Sequence, residues 1–343
     1  MTASREVHVV AYPRGELRGD DFAVVEVEVP EARDGEVLVR NEWTSIDAAL
    51  RLRLRERAPA GYFAAFPLHA ALDGIATTGV VVESRADGFA PGDWVAHAAG
   101  WREYAVVEAG REALGGVGTL RRIDVEAASP QAYLGVLGGS GLTAYAGLVH
   151  VAGLREGDVV WVSAAAGSVG LIVAQLAKLR GHRVVASAGS PDKIAYLRDE
   201  LGLDAVFDYH GGPLPELLAE AAPEGIDVYF DNVGGDHLAA ALAALRPWGR
   251  VAMCGAISEY GADAPVPGPD NLFLAVAKNL TLRGFRGSSY VDRRDEMESV
   301  LAPWLRDGKL AYPETVVAGL EHAPDALARL LRGDTFGKTV VRI

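Results

Sequence analysis

Apolar and polar residues alternate along the first third of the chain, in short runs separated by Gly, Pro and Asp residues. A period of two is typical of β-strands that bury one face, and turn residues set the ends of such strands. We therefore expect a small barrel-like β domain over residues 1–135. The runs predicted as strands are residues 7–10, 22–29, 35–43, 77–84, 94–98 and 102–109.

The pattern changes near residue 136, where strand-like runs begin to alternate with longer segments of helical period. Such alternation predicts βαβ units and an α/β fold with a doubly wound parallel sheet, here over residues 136–312. Residues 313–343 have a strand, a short helix and a last strand, and we expect this tail to return to the first domain. The strands predicted for the sheet are residues 158–165, 183–189, 205–209, 226–233, 249–256 and 280–285, and the helices are residues 168–180, 191–202, 214–222 and 237–246.

The composition narrows the classes of function. The chain has 343 residues, a formal net charge of −13 and a single cysteine, Cys254. An acidic surface repels phosphate backbones, so we expect small-molecule or protein partners and no nucleic acid. One cysteine excludes an internal disulfide and any zinc site built from several thiolates. No run approaches the roughly 20 apolar residues of a membrane helix, and the first residues lack a signal-peptide pattern, which together predict a cytoplasmic protein.

The first chemical signal is Ala165-Ala166-Gly167-Ser168-Val169-Gly170, at the turn between the first strand of the predicted sheet and the helix after it. It matches the dinucleotide-binding fingerprint, with Ala in place of the first glycine. Gly167 would let the backbone approach a pyrophosphate, Gly170 would let helix and strand pack closely, and the helix N-terminus would offer N–H groups. An ordinary tight turn is the alternative, and the strand, turn and helix context favours a cofactor site.

The second signal is the absence of a carboxylate. NAD-specific sites place an acidic residue at the end of the second strand, about 20 residues beyond the fingerprint. Here that strand runs into Gly189-Ser190-Pro191, and Lys193 lies one turn into the next helix. A hydroxyl and a cation suit the 2′-phosphate of NADPH, which we expect as the cofactor. Ser190 also suits a helix N-cap, and Lys193 a solvated surface position.

Two other signals are weaker. Ser140 lies in a Gly-Gly-Ser-Gly run, but a serine-hydrolase elbow needs glycine where this chain has Leu142, so we do not expect a hydrolase. Residues 231–235 follow the fourth strand of the predicted sheet, at its carboxyl edge. They are either a β-turn or a backbone wall beside the cofactor.

Together these features resemble the medium-chain dehydrogenase/reductase superfamily. Within it, motifs along nearly the whole chain resemble the zinc-free prostaglandin and leukotriene reductase group, the NADP-dependent alkenal/one oxidoreductases. The pair of segments FDNVGG (230–235) and CGAIS (254–258) with Tyr260 is the most specific to this group. The other matching segments are Ser45-Ile46-Asp47, Gly100-Trp101, Glu103-Tyr104, residues 141–145, residues 164–170, Pro267-Gly268-Pro269 and Gly337-Lys338.

The resemblance implies a GroES-like catalytic domain joined to a Rossmann NADPH-binding domain. Zinc-dependent relatives carry a cysteine in the region of Asp47 and a Gly-His-Glu near residues 72–74, where this chain has Leu72-Asp73-Gly74. We therefore expect no metal. The group's habit of joining nucleotide domains at the last sheet edge implies a homodimer, here near residues 280–285.

The resemblance also implies roles for individual residues. Tyr260 falls on the tyrosine that bonds the nicotinamide ribose and organises polarisation of the substrate carbonyl, although a loop tyrosine with a solvated hydroxyl is the alternative. The implied cofactor-binding residues are Gly167, Ser168, Val169 and Gly170 at the pyrophosphate, Ser190, Lys193 and Tyr209 at the 2′-phosphate, Asn232 and Cys254 beside the nicotinamide, and Thr143 and Thr335. The implied substrate pocket is lined by Ser45, Ala49, Gly139, Tyr260 and Tyr290.

The implied activity is NADPH-dependent reduction of the carbon–carbon double bond of α,β-unsaturated ketones and aldehydes. A quinone reductase and a catalytically silent NADPH-binding protein are the alternatives. The chain departs from the group at Ala49 and Gly139, which replace larger residues, and at Thr335, where the group has Asn. The two small residues predict a widened pocket that favours bulky apolar enones, unless neighbouring side chains fill the space.

Overall fold

The computed structural model of the chain describes residues 3–262, 264 and 266–343. The strands are β1 (Ala3–Val9), β2 (Phe22–Glu28), β3 (Glu36–Ile46), β4 (Thr77–Ser84), β5 (Trp94–His97), β6 (Tyr104–Glu108), β7 (Arg121–Arg122), β8 (Val159–Val162), β9 (Arg183–Ala188), β10 (Ala205–Asp208), β11 (Ile226–Asp231), β12 (Leu245–Met253), β13 (Thr281–Gly284), β14 (Glu314–Ala318) and β15 (Lys338–Arg342). The α-helices are α1 (Gly139–Tyr145), α2 (Ser168–Leu179), α3 (Pro191–Ala195), α4 (Leu214–Ala221), α5 (Gly235–Ala244), α6 (Leu274–Ala277), α7 (Arg294–Arg306) and α8 (Ala323–Arg332).

The chain divides into two compact units. The first unit is Met1–Gly139 with Pro313–Ile343, and the second unit is Ser140–Tyr312. The boundaries expected from the sequence lie at residues 135/136 and 312/313. No helix in the described part of the chain is long and apolar enough to cross a membrane.

The first unit is built on a mixed sheet of order β14-β15-β3-β4-β5-β7, in which β6 also pairs with β3. β1 and β2 form a separate antiparallel pair. The tail joins this unit because β15 pairs antiparallel with β3, with Val340 opposite Ser45. Apolar side chains from the strands, from the loop before β6 and from α8, among them Ile46, Trp101 and Leu327, form its core.

The second unit is a parallel sheet of order β10-β9-β8-β11-β12-β13. This is the strand order of a doubly wound dinucleotide-binding fold, and the predicted α/β class with a Rossmann sheet is confirmed. Successive strands are added on one side of β8 as far as β10 and on its other side from β11 onward, and ligands of such folds bind at the carboxyl ends of the strands near that switch point. All four residues of β8 are buried, as a central parallel strand requires.

Several elements differ from those predicted. The helix expected over residues 237–246 ends at Ala244, because Pro247 disfavours helical geometry in the residue before it. The strand expected over residues 226–233 ends at Asp231, whose carboxylate accepts hydrogen bonds from the next backbone N–H groups. The sequence pattern does not predict α7, since this helix contains Pro303 and its buried residues are few.

Candidate functional site

The predicted phosphate loop connects β8 to α2 in the second unit. Ala164 begins it with a left-handed backbone, φ +48°, and the N–H of Gly167 donates to the carbonyl of Ala164 over 2.9 Å. A β-carbon on Gly170 would lie 2.8 Å from Ala165 Cα and even closer to the Ala164 oxygen. Only glycine therefore allows α2 to begin so close to the end of β8. The loop has the close helix–strand packing on which a dinucleotide cradle depends.

The first turn of α2 is available to an anion. Gly167 is the N-cap residue, and no side chain caps the helix. The hydroxyl of Ser168 lies 2.6 Å from that of Ser140 and 2.8 Å from that of Tyr312. The Ser168 side chain is thus held within the second unit, and its backbone N–H, with that of Val169, opens the helix where partial positive charge collects.

Small residues follow the carboxyl end of β9, and one of them, Gly189, packs against the ring of Tyr209. A β-carbon on Gly189 would lie 2.6 Å from the Tyr209 hydroxyl, and the Tyr209 N–H donates to Ala188 over 3.2 Å. Burial raises the pKa of Tyr209, so its hydroxyl remains a hydrogen-bond donor at neutral pH. Ser190 is the N-cap residue of α3 but makes no side-chain capping bond, and Lys193 lies on α3. Hydroxyl and cationic groups thus follow the strand end, and their role at a 2′-phosphate stays a prediction.

A buried network fixes the turn after β11. Asp231 Oδ1 accepts hydrogen bonds from the Tyr229 hydroxyl over 2.8 Å, from the Val233 N–H over 3.0 Å and from the Gly234 N–H over 2.8 Å. Burial raises the pKa of Asp231, and these hydrogen bonds act against that rise. Burial also raises the pKa of Tyr229 far above its usual range, so this hydroxyl stays protonated and donates. These hydrogen bonds therefore hold the turn in one conformation.

Hydrogen bonds connect Asn232 to Ser163 and Cys254 to Asp231. The Asn232 side chain donates to the Ser163 carbonyl over 2.7 Å, and its N–H donates to Ser163 Oγ over 3.0 Å. The Cys254 N–H donates to the Asp231 carbonyl over 2.9 Å. Burial, with a contribution from Asp231, raises the pKa of Cys254 to about 12. The thiol of Cys254 is therefore neutral and a poor nucleophile.

Tyr260 folds back over the turn that follows β12. Its hydroxyl accepts a hydrogen bond from the Ala256 N–H over 3.4 Å, and a β-carbon on Gly255 would lie 2.7 Å from that oxygen. The same turn bonds to the FDNVGG segment, because the Ile257 N–H donates to the Asn232 carbonyl over 3.2 Å. The structure thus places the Tyr260 hydroxyl and Asn232 on one edge of the sheet. The role of Tyr260 at the nicotinamide ribose stays a prediction.

Thr143 and Tyr290 belong to adjacent segments of the second unit. A β-carbon on Gly287 would collide with the Thr143 side chain, so the turn that carries Tyr290 packs directly on α1. The Tyr290 ring stacks on His150, with ring centroids 6.4 Å apart. The cofactor role implied for Thr143 and the pocket role implied for Tyr290 stay predictions.

The remaining predicted residues lie in the first unit. Ser45 is fully buried; its hydroxyl donates to Asp47 over 2.5 Å and accepts from the Ala76 N–H over 3.2 Å. Ala49 lies on the 3₁₀ helix Ala48–Leu52, half-buried. Thr335 is half-buried in the loop between α8 and β15. A β-carbon on Gly139 would find ordinary van der Waals contacts with Ile75 and Val117, at 3.5 and 3.7 Å.

Two family models match the chain. Residues 5–113 match the N-terminal domain of oxidoreductases, and residues 168–306 match a family described as zinc-binding dehydrogenase. The first match lies within the first unit, and the second covers the sheet of the second unit from α2 onward.

Relatives that match along nearly the full length of the chain show which group of oxidoreductases it belongs to. The chain is 35% identical to the NADPH-dependent curcumin reductase of Escherichia coli, over 96% of this chain and 94% of the relative. It is 36% identical to prostaglandin reductase 1 of Bos taurus, over 98% of this chain and 96% of the relative. The crystal structure of CurA from Vibrio vulnificus in complex with NADPH superposes with a TM-score of 0.90 at 33% identity, over 98% of each chain. The chain belongs to the prostaglandin and alkenal reductase group of the medium-chain dehydrogenase/reductase superfamily.

This membership makes the chain one of a family of NADP-dependent oxidoreductases. Within the described residues of this reductase, no group of three or more His, Cys, Asp or Glu side chains is placed to hold a metal ion. Asp47, in the region where zinc-dependent relatives carry a cysteine, instead pairs with the buried Lys338. That the reductase works without metal stays a prediction.

Sequence reasoning missed the residues that support the reductase's sheet edge. Ser163 holds both the backbone and the side chain of Asn232, and Tyr229 holds Asp231. Both residues lie inside predicted strands. The sign of their role in the sequence is a polar residue within an otherwise apolar run. A buried hydroxyl in a central strand needs a hydrogen-bond partner, and the nearest one is the turn beyond the strand end.

Proposed function

We propose that the chain is an NADPH-dependent, metal-free reductase of the carbon–carbon double bond of α,β-unsaturated ketones and aldehydes. The observation that carries the proposal is the full-length relation to reductases named for curcumin and prostaglandin and to CurA in complex with NADPH. The second unit supports the same cofactor, because Gly170 lets α2 begin close to the end of β8, and the N-cap residue of α2, Gly167, makes no side-chain capping bond.

The proposed roles of the residues follow from their places at the carboxyl edge of the parallel sheet. Gly167, Ser168 and Val169 bind the pyrophosphate through backbone N–H groups, and Lys193 and Tyr209 bind the 2′-phosphate. When bound, NADPH supplies the hydride that reaches the β-carbon of the enone. Hydrogen bonds stabilise the negative charge that develops on the substrate oxygen, and water returns a proton to the α-carbon.

A turnover assay with an enone tests the proposed reductase activity. NADPH oxidation is followed with 1-octen-3-one, and the product is identified by mass spectrometry as the saturated ketone. No oxidation with any enone would leave an NADPH-binding protein without this activity. Oxidation of NADPH by a quinone, with enones inert, would instead indicate a quinone reductase.

Removal of the Tyr260 hydroxyl is expected to slow the reaction. If that hydroxyl organises the developing charge, Tyr260→Phe should lower kcat by about tenfold or more, with a smaller effect on KM. Steady-state kinetics with an enone measure both constants. An unchanged kcat/KM would show that Tyr260 only packs against the turn at Gly255.

The small residues at the predicted pocket are expected to set its width. Gly139→Met should lower kcat/KM for cyclic, bulky enones relative to linear ones by roughly tenfold, since each displaced methylene is worth about 0.8 kcal/mol. The β-carbon itself fits beside Ile75 and Val117, so Gly139→Ala is the matched control and should keep the original ranking. A preference for small linear enones in the wild type, unshifted by Gly139→Met or Ala49→Tyr, would refute the wide pocket.

We also propose a homodimer joined along β13. In the sheet of the second unit, β13 is the last strand and pairs only with β12 among the described strands. Large apolar side chains are exposed before this strand, with Phe273 and Val276 at 75% and 69% exposure, and Trp248 at 69%. A free strand edge with exposed apolar neighbours is rarely left uncovered, and a second copy would cover both features. Light scattering should give a dimer, and Phe273→Glu should weaken it; a wild-type monomer at working concentration would overturn the proposal.

A further inference from the structure

A second polar cluster in the second unit consists of Tyr145, His150, Arg293 and Glu296. After α1 the chain continues as a π-helical turn, Ala146–Val151, which carries His150. This segment packs on residues 285–290 with no spare room. A β-carbon on Gly147 would lie 2.5 Å from the Phe230 ring and would also overlap the Phe285 ring. The position of one segment therefore determines the position of the other.

The Tyr290 ring is held by two aromatic neighbours. It stacks on His150 with an interplanar angle of 18°, and it meets Phe285 edge-on, with centroids 6.2 Å apart and an angle of 80°. Its backbone, at φ −126° and ψ 26°, departs from helical geometry inside the turn Gly287–Arg293. Because its own turn is irregular, the orientation of the ring depends on what it packs against.

A carboxylate on α7 lies beside the ring of His150. Glu296 Oε1 lies 3.3 Å from His150 Nε2, an ion-pair distance when the imidazole is protonated, and it accepts a hydrogen bond from the Tyr145 hydroxyl over 2.8 Å. Arg293 lies 3.5 Å from the other oxygen. The Tyr145 hydrogen bond, followed by the charges of His150 and Arg293, lowers the pKa of Glu296. The carboxylate is therefore ionised when it faces His150.

We propose that His150 and Glu296 are positioning residues that set the orientation of the Tyr290 ring and thereby the preference of the enzyme among enones. This inference rests on the proposed function and on the place in the substrate pocket that the family resemblance implies for Tyr290. Loss of the His150 ring would free Tyr290 to turn toward the vacated space. The consequence is a change in substrate ranking with little change in the cofactor site.

The kinetic test compares His150→Leu, which removes the stacked ring, with His150→Phe, which keeps a ring and loses the polar contact. An aromatic pair is worth roughly 0.5–1.5 kcal/mol, so His150→Leu should change the ratio of kcat/KM between 2-cyclohexenone and 1-octen-3-one by about two- to tenfold, chiefly through KM. His150→Phe should restore most of the wild-type ratio. The Kd for NADPH should stay within about twofold in both variants. His182→Leu, at a half-buried histidine outside the cluster, is the matched control and should leave the ratio unchanged.

A second measurement does not depend on turnover. Amide hydrogen exchange over residues 287–293 should quicken in His150→Leu and in the milder Glu296→Gln, which keeps an acceptor for Tyr145. Glu296→Gln serves both tests if His150→Leu does not fold. Unchanged exchange would overturn the positioning role, as would an unchanged substrate ratio in a folded variant. If the wild type is inactive toward all enones but exchange still quickens in the variants, the proposed function and the substrate preference are both refuted. The conclusion that His150 and Glu296 hold Tyr290 then still stands.

Discussion

Replacement of Lys338 by Met is expected to lower the free energy of unfolding by about 3 kcal/mol. The Lys338 side chain is fully buried; its ammonium pairs with Asp47 Oδ1 and lies 3.4 Å from the carbonyl oxygen of Ile46. Removing the cation leaves a largely buried carboxylate with its desolvation cost and without its partner. Thermal unfolding followed by circular dichroism should show a midpoint lower by roughly 6–12 °C.

Two further variants separate this effect from ordinary loss of a surface charge. Arg40→Met in the same unit removes an exposed ion pair with Glu42 and should cost less than about 1 kcal/mol. The double variant Asp47→Leu, Lys338→Met removes both charges and should be less destabilised than Lys338→Met alone. If Lys338→Met and Arg40→Met unfold at the same temperature, the buried pair does not stabilise the first unit.

Reversal of charge at Lys193 is expected to weaken NADPH binding by roughly 10- to 100-fold, because a charge-assisted bond to phosphate is worth about 1–3 kcal/mol. The residue lies on α3, directly after a strand end that carries Gly189 and Ser190 in place of an acidic side chain. Lys193→Glu should therefore penalise the 2′-phosphate while the shared part of the cofactor still binds. Fluorescence titration with NADPH and NADH measures both dissociation constants.

The comparison between cofactors is the control within the experiment. The dissociation constant for NADH should change by no more than about twofold in Lys193→Glu, because NADH lacks the phosphate. Lys309→Glu changes the same charge at an exposed site paired with Asp307 and should leave both constants unaltered. Equal kinetic constants for the two cofactors in the wild type would contradict the proposed preference.

Local patterns were sufficient to predict the elements that form the cofactor edge. Periods of two and of about 3.6 residues predicted the strands and most helices of the second unit, and glycine at 170 is where helix and strand make their closest approach. The glycine pattern worked because its physical cause, backbone contact, lies within a few residues of the chain. The helix α7 was missed because Met297 and Leu301 alone do not make a recognisable apolar stripe around Pro303.

Interactions between distant segments could not be predicted in the same way. Lys338 and Asp47 are 291 positions apart, and nothing near either residue indicates that the two pair. Ser163 is 69 positions from Asn232, and only the strand order that places β8 beside β11 brings them together. Side chains that hold a site through space thus became visible only once the sheet register was known.

The chain order of the two units has a consequence during synthesis. Ser140–Tyr312 is a continuous stretch, whereas the sheet of the other unit pairs residues 43–46 of β3 with β15, which follows the second unit in the chain. A ribosome releases these segments in order, so the second unit can complete its sheet before β15 emerges. Until β15 emerges, residues 43–46 of β3 lack their neighbour on one side, although residues 43 and 44 already pair with β4. A chain that ended at Tyr312 would therefore hold the whole second unit together with a first unit that lacks β14 and β15 and cannot complete its sheet.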